Sequence, residues 1–533
     1  MPTHPKLRLF LLRLALLLAL APFLLLCAFN QPFFDDFRNA YWMREHGTWG
    51  VQSWLFKTWT GRFTTTFVMT VLNPVAYGWL GGVKAVAAAT FVAQWASSAY
   101  LLRTLLRTAL KSACSRSQAF WAAGLLLALF CSAAPVPFSF LYWFCGIVAY
   151  QLPLMGLLTF TALALRAGWG PVPTQWRNAG LACFPLVLAL TGNELTLVQA
   201  GPVLALLGFA LPAAARPKLA LWLLIGAMAV GMAAAAPGNW ARAAAMAPPT
   251  DPYYNYRWLV LIPRALYSMV LFLIEPMIGL SALAAAAVGL WAGSTTRTQA
   301  HLPLSRRQWL AVILAFGSLN FIGFLLFRYL VVGAPLMRAQ NEILLVLLLS
   351  TAALGWLAGQ QLTNASSTTT TATRLHPLQL LKSLGLLLPL LLLGLFGAGH
   401  VPEAWRELAT SAASFDAQMQ ARFAALRAAH RTGTPRLTLP PLRLSYGRVL
   451  IPLRQFSRDI EFDIDLSQGC EGNINGVMER YFEVPDVCGE ADAVPDELPP
   501  SSASSASSGA APYLAHYASR NYPSAGQPQL HGH

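Results

Sequence analysis

An all-α polytopic membrane protein is the fold class this sequence predicts, on three observations. Of its 533 residues, 56% are apolar and only 11% charged, against roughly 25% charged in an ordinary soluble protein. Its mean hydropathy is +0.50. Apolar runs of about 20 residues, enough to cross a bilayer core of about 30 Å, recur from the N-terminus almost to residue 400. Such a composition excludes a disordered chain and argues against a soluble multidomain enzyme, because too few charges are present to coat it. In a lipid-embedded chain the formal charge of +15 reads as Lys and Arg held in cytoplasmic loops.

Lys6, Arg8 and Arg13 stand before or within the first apolar run, which reaches Phe29. No small-x-small cleavage site follows, and bulky Leu26 precedes Cys27. The segment therefore reads as an uncleaved first helix starting in the cytoplasm, not as a signal peptide. Counting it as 8–29, spans are predicted near 79–101, 119–135, 142–165, 178–192, 195–214, 218–236, 266–292, 308–332, 341–358 and 379–398. That makes about eleven spans of bilayer length. The pair at 178–214 has short members divided by the polar Gly192-Asn193-Glu194.

Charge assigns the sides. The loops with Arg103, Arg107, Lys111 and Arg116; Arg166 and Arg177; Arg216 and Lys218; Arg297, Arg306 and Arg307; and Arg374 and Lys382 all fall on the N-terminal side, as the positive-inside rule requires. An odd number of spans puts the C-terminal region outside. The expected organisation is a transmembrane domain over 1–400, with a first outer loop at 30–78 carrying interfacial helices. An outer C-terminal region follows at 401–490, then a disordered Ser/Ala/Pro-rich tail at 491–533 that includes Ser501–Ser508. A Thr-rich stretch at 367–373 reads as a cytoplasmic linker.

Seven cysteines do not make a disulfide scaffold. Cys27, Cys114, Cys131, Cys145 and Cys183 lie in or beside apolar runs, where a thiol behaves as a small hydrophobe. Cys470 and Cys488 alone share a polar region, and in an oxidising outer compartment they are expected to pair. No C-x-x-C, H-E-x-x-H or Walker A pattern occurs.

Polar chemistry collects on the outer face. The first loop carries Asp35-Asp36, then Trp42, Trp49, Trp54 and Trp59, then Gly61-Arg62. Tyr142-Trp143, Gly146 and Tyr150-Gln151-Leu152-Pro153 form a second group. Asn193-Glu194, Pro237-Gly238-Asn239 with Arg242, the run Asp251–Arg257, and Arg338 with Asn341 and Glu342 complete the set. Taken singly, each has a structural explanation. Asp35-Asp36 can hydrate a loop or cap an interfacial helix. The tryptophans suit an aromatic belt, although indole faces also stack on sugar rings. Arg62, Arg242 and Arg338 can snorkel to lipid phosphates. Pro237-Gly238-Asn239 reads as a helix stop and turn. An ionisable Glu194 near a span end usually faces a cavity. Asp463-Ile464-Asp465 looks like a nucleotide-sugar metal motif, but nucleotide sugars are absent outside, so it is discounted.

A span followed at once by an acidic pair at the start of a long outer loop resembles the GT-C class of membrane glycosyltransferases. The ordered motifs F-D-D, W-T-G-R, Y-W-F-C-G-I-V-A-Y-Q-L-P, G-N-E, A-P-G-N-W-A-R and P-L-M-R, with D-I-D-L-S-Q-G-C-E-G-N-I-N and E-R-Y-F in the tail, look like a bacterial GT-C-like family of unassigned specificity. The resemblance covers most of residues 30–485. It implies a GT-C-like fold in the bacterial inner membrane, with the N-terminus cytoplasmic and the C-terminus periplasmic. It also implies sugar transfer from a polyprenyl-phosphate carrier to a lipid, glycan or protein acceptor. Asp35 would be the general base and Asp36 an orienting or metal-binding partner. Arg62, Arg242 and Arg338 would meet the carrier phosphate, and Glu194 acceptor or sugar hydroxyls. Trp143, Tyr150, Asn193 and Asn239 join the carrier-phosphate or sugar-binding set. No cofactor is required by this reading, and a divalent cation at Asp35 and Asp36 is left open.

The leading alternative is a multi-span transporter or lipid flippase. Transporters tend to show repeated halves and helices broken near the midplane, whereas here no internal repeat is found and the polar residues gather at one edge. A scaffold presenting its tail would give Asp35 no special role. Nucleic acid is the remotest partner, since the cations are dispersed over several loops.

Overall fold

The computed structural model describes residues 5–109, 114–246, 257–295, 305–330, 334–367, 391–392, 395–397, 399–452 and 465–490. Outside these lie most of the 367–373 linker and of the span expected at 379–398, the run 251–256, Asp463 and Ile464, and the tail 491–533. The protein is an α-helical, multi-pass membrane protein. Among the described residues seven helical stretches are long and apolar enough to cross a membrane: Leu9–Phe29, Gly82–Thr108, Phe144–Trp169, Ala213–Ala235, Pro276–Ser294, Arg306–Leu330 and Met337–Leu362. Glu194–Ala210 and Trp258–Ile274 are apolar but shorter.

The helices used below are α1 (Pro5–Leu26), α2 (Phe34–Thr58), α3 (Phe63–Val71), α4 (Gly82–Thr104), α5 (Arg116–Ala133), α6 (Leu152–Trp169), α7 (Val172–Gly192), α8 (Glu194–Ala210), α9 (Arg216–Ala235), α10 (Pro237–Met246), α11 (Arg257–Ile274), α12 (Pro276–Thr295), α13 (Arg306–Leu330), α14 (Met337–Ser367), α15 (His400–Thr410), α16 (Ala412–Thr432) and α17 (Asn473–Phe482). Two short strands, β1 (Arg436–Leu439) and β2 (Asp486–Gly489), pair in parallel, with Arg436 opposite Asp486. With the isolated bridges that Gln468 and Gly469 make to Gly489, they are the β-structure among the described residues.

The apolar stretch expected as one span at 266–292 is divided. Glu275 separates α11 from α12, its Oε2 accepting the Ile278 N–H at 2.8 Å. Pro276 opens the second helix, where its missing N–H costs nothing. α11 lies across α13, with Trp258 against Tyr329 (ring centroids 5.0 Å) and Phe272 against Phe324 (5.5 Å). α12 instead packs along α14 through two G-x-x-x-G faces. A Cβ on Gly289 would stand 2.9 Å from the Ala352 carbonyl carbon, one on Gly355 3.0 Å from that of Ala286. Small residues at this spacing let membrane helices approach closely.

The loop between α1 and α4 is itself helical. Gly47 interrupts α2 at φ +67°, a left-handed conformation that suits glycine. The bend brings Trp54 back onto Trp42 (4.8 Å) and His46 (5.5 Å). Trp49 is left exposed. Trp42 and Trp54 thus meet across the bend, while Trp49 faces outward.

The C-terminal region has more core than its polar sequence predicts, because α2 contributes to it. Phe37 inserts among Phe423, Tyr481 and Phe482 at centroid distances of 5.5, 4.8 and 5.8 Å. Arg44 donates to the Tyr481 hydroxyl (2.9 Å), which itself donates to the Val75 carbonyl (2.7 Å). Lys84 at the start of α4 pairs with Asp416 of α16 at 2.5 Å. A disulfide joins Cys470 to Cys488. Asp465 pairs with Arg422 at 2.7 Å, so this member of the discounted acidic motif is an anchor.

Glu407 fastens the chain after β1. It is fully buried and accepts the backbone N–H groups of Arg448 (3.2 Å), Val449 (2.7 Å), Leu450 (3.1 Å) and Ile451 (2.7 Å). Glu407→Ala leaves these amides without their acceptor and is expected to cost about 2–3 kcal/mol. Hydrogen exchange should accelerate over 448–451; wild-type protection there would show that Glu407 does not hold the segment.

Candidate functional site

One end of the helix bundle gathers the residues that the sequence scatters. Asn193 closes the turn between α7 and α8, its Oδ1 accepting the Leu195 N–H at 2.8 Å. Its Nδ2 donates to Glu342 Oε2 at 3.0 Å, joining α8 to α14. Asn341, next to Glu342, donates to the Val136 carbonyl (2.8 Å) and accepts the Val136 N–H (3.1 Å). That fixes the 134–143 segment, and with it Trp143, over the same end.

Glu194 is the centre of the arrangement. It pairs with Arg62, and with Arg242 at 2.8 Å. Two positions hold Arg62 in place. Asn239 Oδ1 accepts the Gly61 N–H at 3.0 Å, and its Nδ2 donates to the Ala233 carbonyl at 2.8 Å. Gly238 lets the start of α10 meet the end of α2, for a Cβ there would lie 2.6 Å from Thr60 N and 2.8 Å from Phe56 O. Pro237-Gly238-Asn239 therefore ends α9, as its sequence suggests, but it also starts α10 and carries Arg242 to the site. Tyr150 and Arg338 lie within electrostatic reach of the Arg62 guanidinium. Arg338 also stands 6.0 Å over the Trp143 ring. Tyr150 sits in a widened turn, Ile147–Gln151, just before Pro153 opens α6 without an N–H to donate.

The sequence reading lacked a role for Glu342. Its side chain is fully buried and lies within electrostatic reach of Arg62. The available signal was the repeated Asn-Glu pair, at 193–194 and 341–342, each at the start of an apolar run.

The two aspartates have different surroundings. Asp35 keeps 21% of its side chain exposed and pairs with Arg38, whose guanidinium lies over Phe34 (5.0 Å) and Trp42 (5.1 Å). Asp36 is fully buried. Its Oδ2 accepts the Phe33 N–H at 2.8 Å and its Oδ1 the Cys145 N–H at 3.0 Å. It therefore ties the start of α2 to the segment after Trp143. With each oxygen accepting an amide, Asp36 joins these two elements. Among the described residues no group of three or more His, Cys, Asp or Glu side chains is placed to hold a metal ion.

Burial is the largest influence on Asp36 and pushes its carboxyl from the ordinary 3.8 up to about 7, against the pull of the Phe33 and Cys145 donors. An acid raised in the folded state stabilises the fold most where it is protonated. Its contribution is complete below pH 3.8 and is lost as pH rises through about 7. Thermal unfolding across that window should show a falling Tm for the wild type and a smaller fall for Asp36→Asn. Equal falls would assign the pH dependence to other groups.

The acidic pair connects to the arginine cluster through aromatic side chains: Phe33 packs edge-on to Trp143 at 6.2 Å, and Trp143 lies under Arg338. The candidate site thus runs from Asp35 across Trp143 to Arg338, Arg62, Glu194 and Arg242. The chain matches no family model, no curated protein and no solved structure.

Proposed function

We propose that this protein is a membrane glycosyltransferase of the GT-C type, moving a sugar from a polyprenyl-phosphate carrier to an acceptor hydroxyl. The observation that carries the reading is the grouping of Arg62 and Arg242 on Glu194, with Arg338 in electrostatic reach of Arg62, at the same end of the bundle as a partly exposed Asp35. Guanidinium forks match phosphate oxygens and stay protonated. In the proposed reaction the acceptor oxygen attacks the anomeric carbon and its proton passes to the Asp35 carboxylate. The bond from that carbon to the carrier phosphate breaks, and the phosphate leaves with the electron pair. Arginines set around the leaving oxygen offset the charge that develops there. Trp143 and Tyr150 would flank the sugar, while Asn193 and Asn239 hold the turns that present Glu194 and Arg62.

In this reading eleven spans place the site and the C-terminal region on the periplasmic face of a bacterial inner membrane. Basic residues at the other ends of the helices, Arg103, Arg166, Arg216 and Arg306 among them, support that sidedness.

Two measurements test the proposal. Lipid-linked glycan profiling of cells lacking the protein should show its polyprenyl-phosphate sugar accumulating and a glycan product missing; an unchanged profile would refute the transfer activity. Alkylation of the unreduced, denatured protein should leave Cys470 and Cys488 unlabelled, as expected of an oxidising compartment. Labelling of both would mean either that the bond does not form or that the C-terminal region is cytoplasmic, and the second would remove the periplasmic site.

A further inference from the structure

α15 has two unlike faces. On one side Trp405 donates its indole N–H to the Leu18 carbonyl of α1 at 3.0 Å. Leu18 is 45% exposed, and Leu11 and Leu14, at 47% and 41%, continue the same stripe of α1 at helical spacing. On the adjoining face Pro402, Glu403, Arg406, Tyr446 and Arg448 line an open cleft of about 490 Å³, within the size range of small-molecule sites.

The charges in this cleft do not balance. Glu403 is shared between Arg448 (2.5 Å) and His400 (2.6 Å). Arg406 lies 4.3 Å over the Tyr446 ring and has no carboxylate within ion-pair distance among the described residues. Two guanidiniums therefore face one carboxylate, and the aromatic ring under Arg406 holds its fork in place without neutralising it. The cleft shares no residue with the Arg62–Glu194–Arg242 group.

We propose that this cleft binds the phosphate headgroup of an anionic phospholipid, with its acyl chains lying over Leu18, Leu14 and Leu11. A guanidinium fork fits phosphate oxygens in pairs. The lipid-facing leucines reached by the same helix favour a lipid over a soluble phosphate ester. The site is one of binding, separate from the proposed transfer reaction, so either can fail without the other.

The test uses the full chain reconstituted in phosphatidylcholine nanodiscs containing phosphatidylglycerol. After extraction in non-ionic detergent, the phospholipid retained per protein is measured by mass spectrometry. Phosphatidylglycerol should be enriched over phosphatidylcholine, and Arg406→Gln should lower that enrichment about tenfold, the effect of one charge-assisted hydrogen bond. Arg406 is exposed and makes no ion pair among the described residues, so the variant should fold. Arg431→Gln, in the last turn of α16 and outside the cleft, should retain the wild-type enrichment. Absence of enrichment in the wild type, retention by Arg406→Gln, or an equal loss in Arg431→Gln would each overturn the site. Displacement of the lipid by inorganic phosphate would move the assignment to a soluble phosphate ligand and overturn the lipid reading.

Discussion

Glu194→Gln should destabilise the protein by about 3 kcal/mol, toward the lower end of what breaking a buried ion pair costs. The lower end applies because Arg62, Arg242 and Glu194 retain 26%, 19% and 21% of their side-chain exposure. Glutamine keeps the shape and can still accept a hydrogen bond, but it leaves two neighbouring guanidiniums without their shared counter-ion. The effect should appear as a lower Tm in detergent. Adding Arg242→Gln to Glu194→Gln should recover part of the loss, since one unpaired charge is then removed. The same variant probes the phosphate reading. With Glu194 neutral, Arg62 and Arg242 are free to take another anion, so inorganic phosphate should stabilise Glu194→Gln more than the wild type. Wild-type stability together with an unchanged phosphate response would mean that Glu194 neither neutralises these arginines nor competes with an anion for them.

The parts of this fold that were legible in the sequence are those governed by hydropathy. Long apolar runs mark helices such as α1, α13 and α14 because lipid imposes one length and one composition on every crossing. The break at Glu275-Pro276 was hidden, since both flanking segments are apolar and a proline inside such a run reads equally as a kink or a start. For the site, the residue types were legible but their assembly was not. Glu194 meets Arg242 from 48 positions away, and Asn193 meets Glu342 across 149; no periodicity or spacing encodes such pairings. The Asp35-Asp36 pair shows the same limit within two residues. Adjacent positions on a helix point about 100° apart, so one carboxylate stays partly exposed beside Arg38 and the other turns inward to the amides of Phe33 and Cys145. The C-terminal core was missed because its central ring, Phe37, belongs to a segment far upstream.

That division of labour between the aspartates sets the sharpest expectation. On the proposed reaction, Asp35→Asn should lower glycosyl transfer by about 10²–10⁴-fold, the usual loss when a general base is removed, while expression and membrane insertion stay intact. Stability should change little, because the lost ion pair with Arg38 is local and partly exposed, a class worth about 0–1 kcal/mol. Arg38 also keeps its seat over Phe34 and Trp42, and the Asp35 backbone carbonyl still accepts from Asn39 at 2.7 Å. The loss should therefore fall on kcat with KM nearly unchanged, because asparagine preserves size and polarity but cannot take a proton at neutral pH. Asp36→Asn should behave in the opposite way, altering the pH dependence of unfolding before it alters turnover. Purified protein carrying Asp35→Asn, assayed with and without Asp36→Asn, separates the two roles. Wild-type turnover in the double variant would remove both carboxylates from the chemistry and leave the arginine cluster as a binding site without a base.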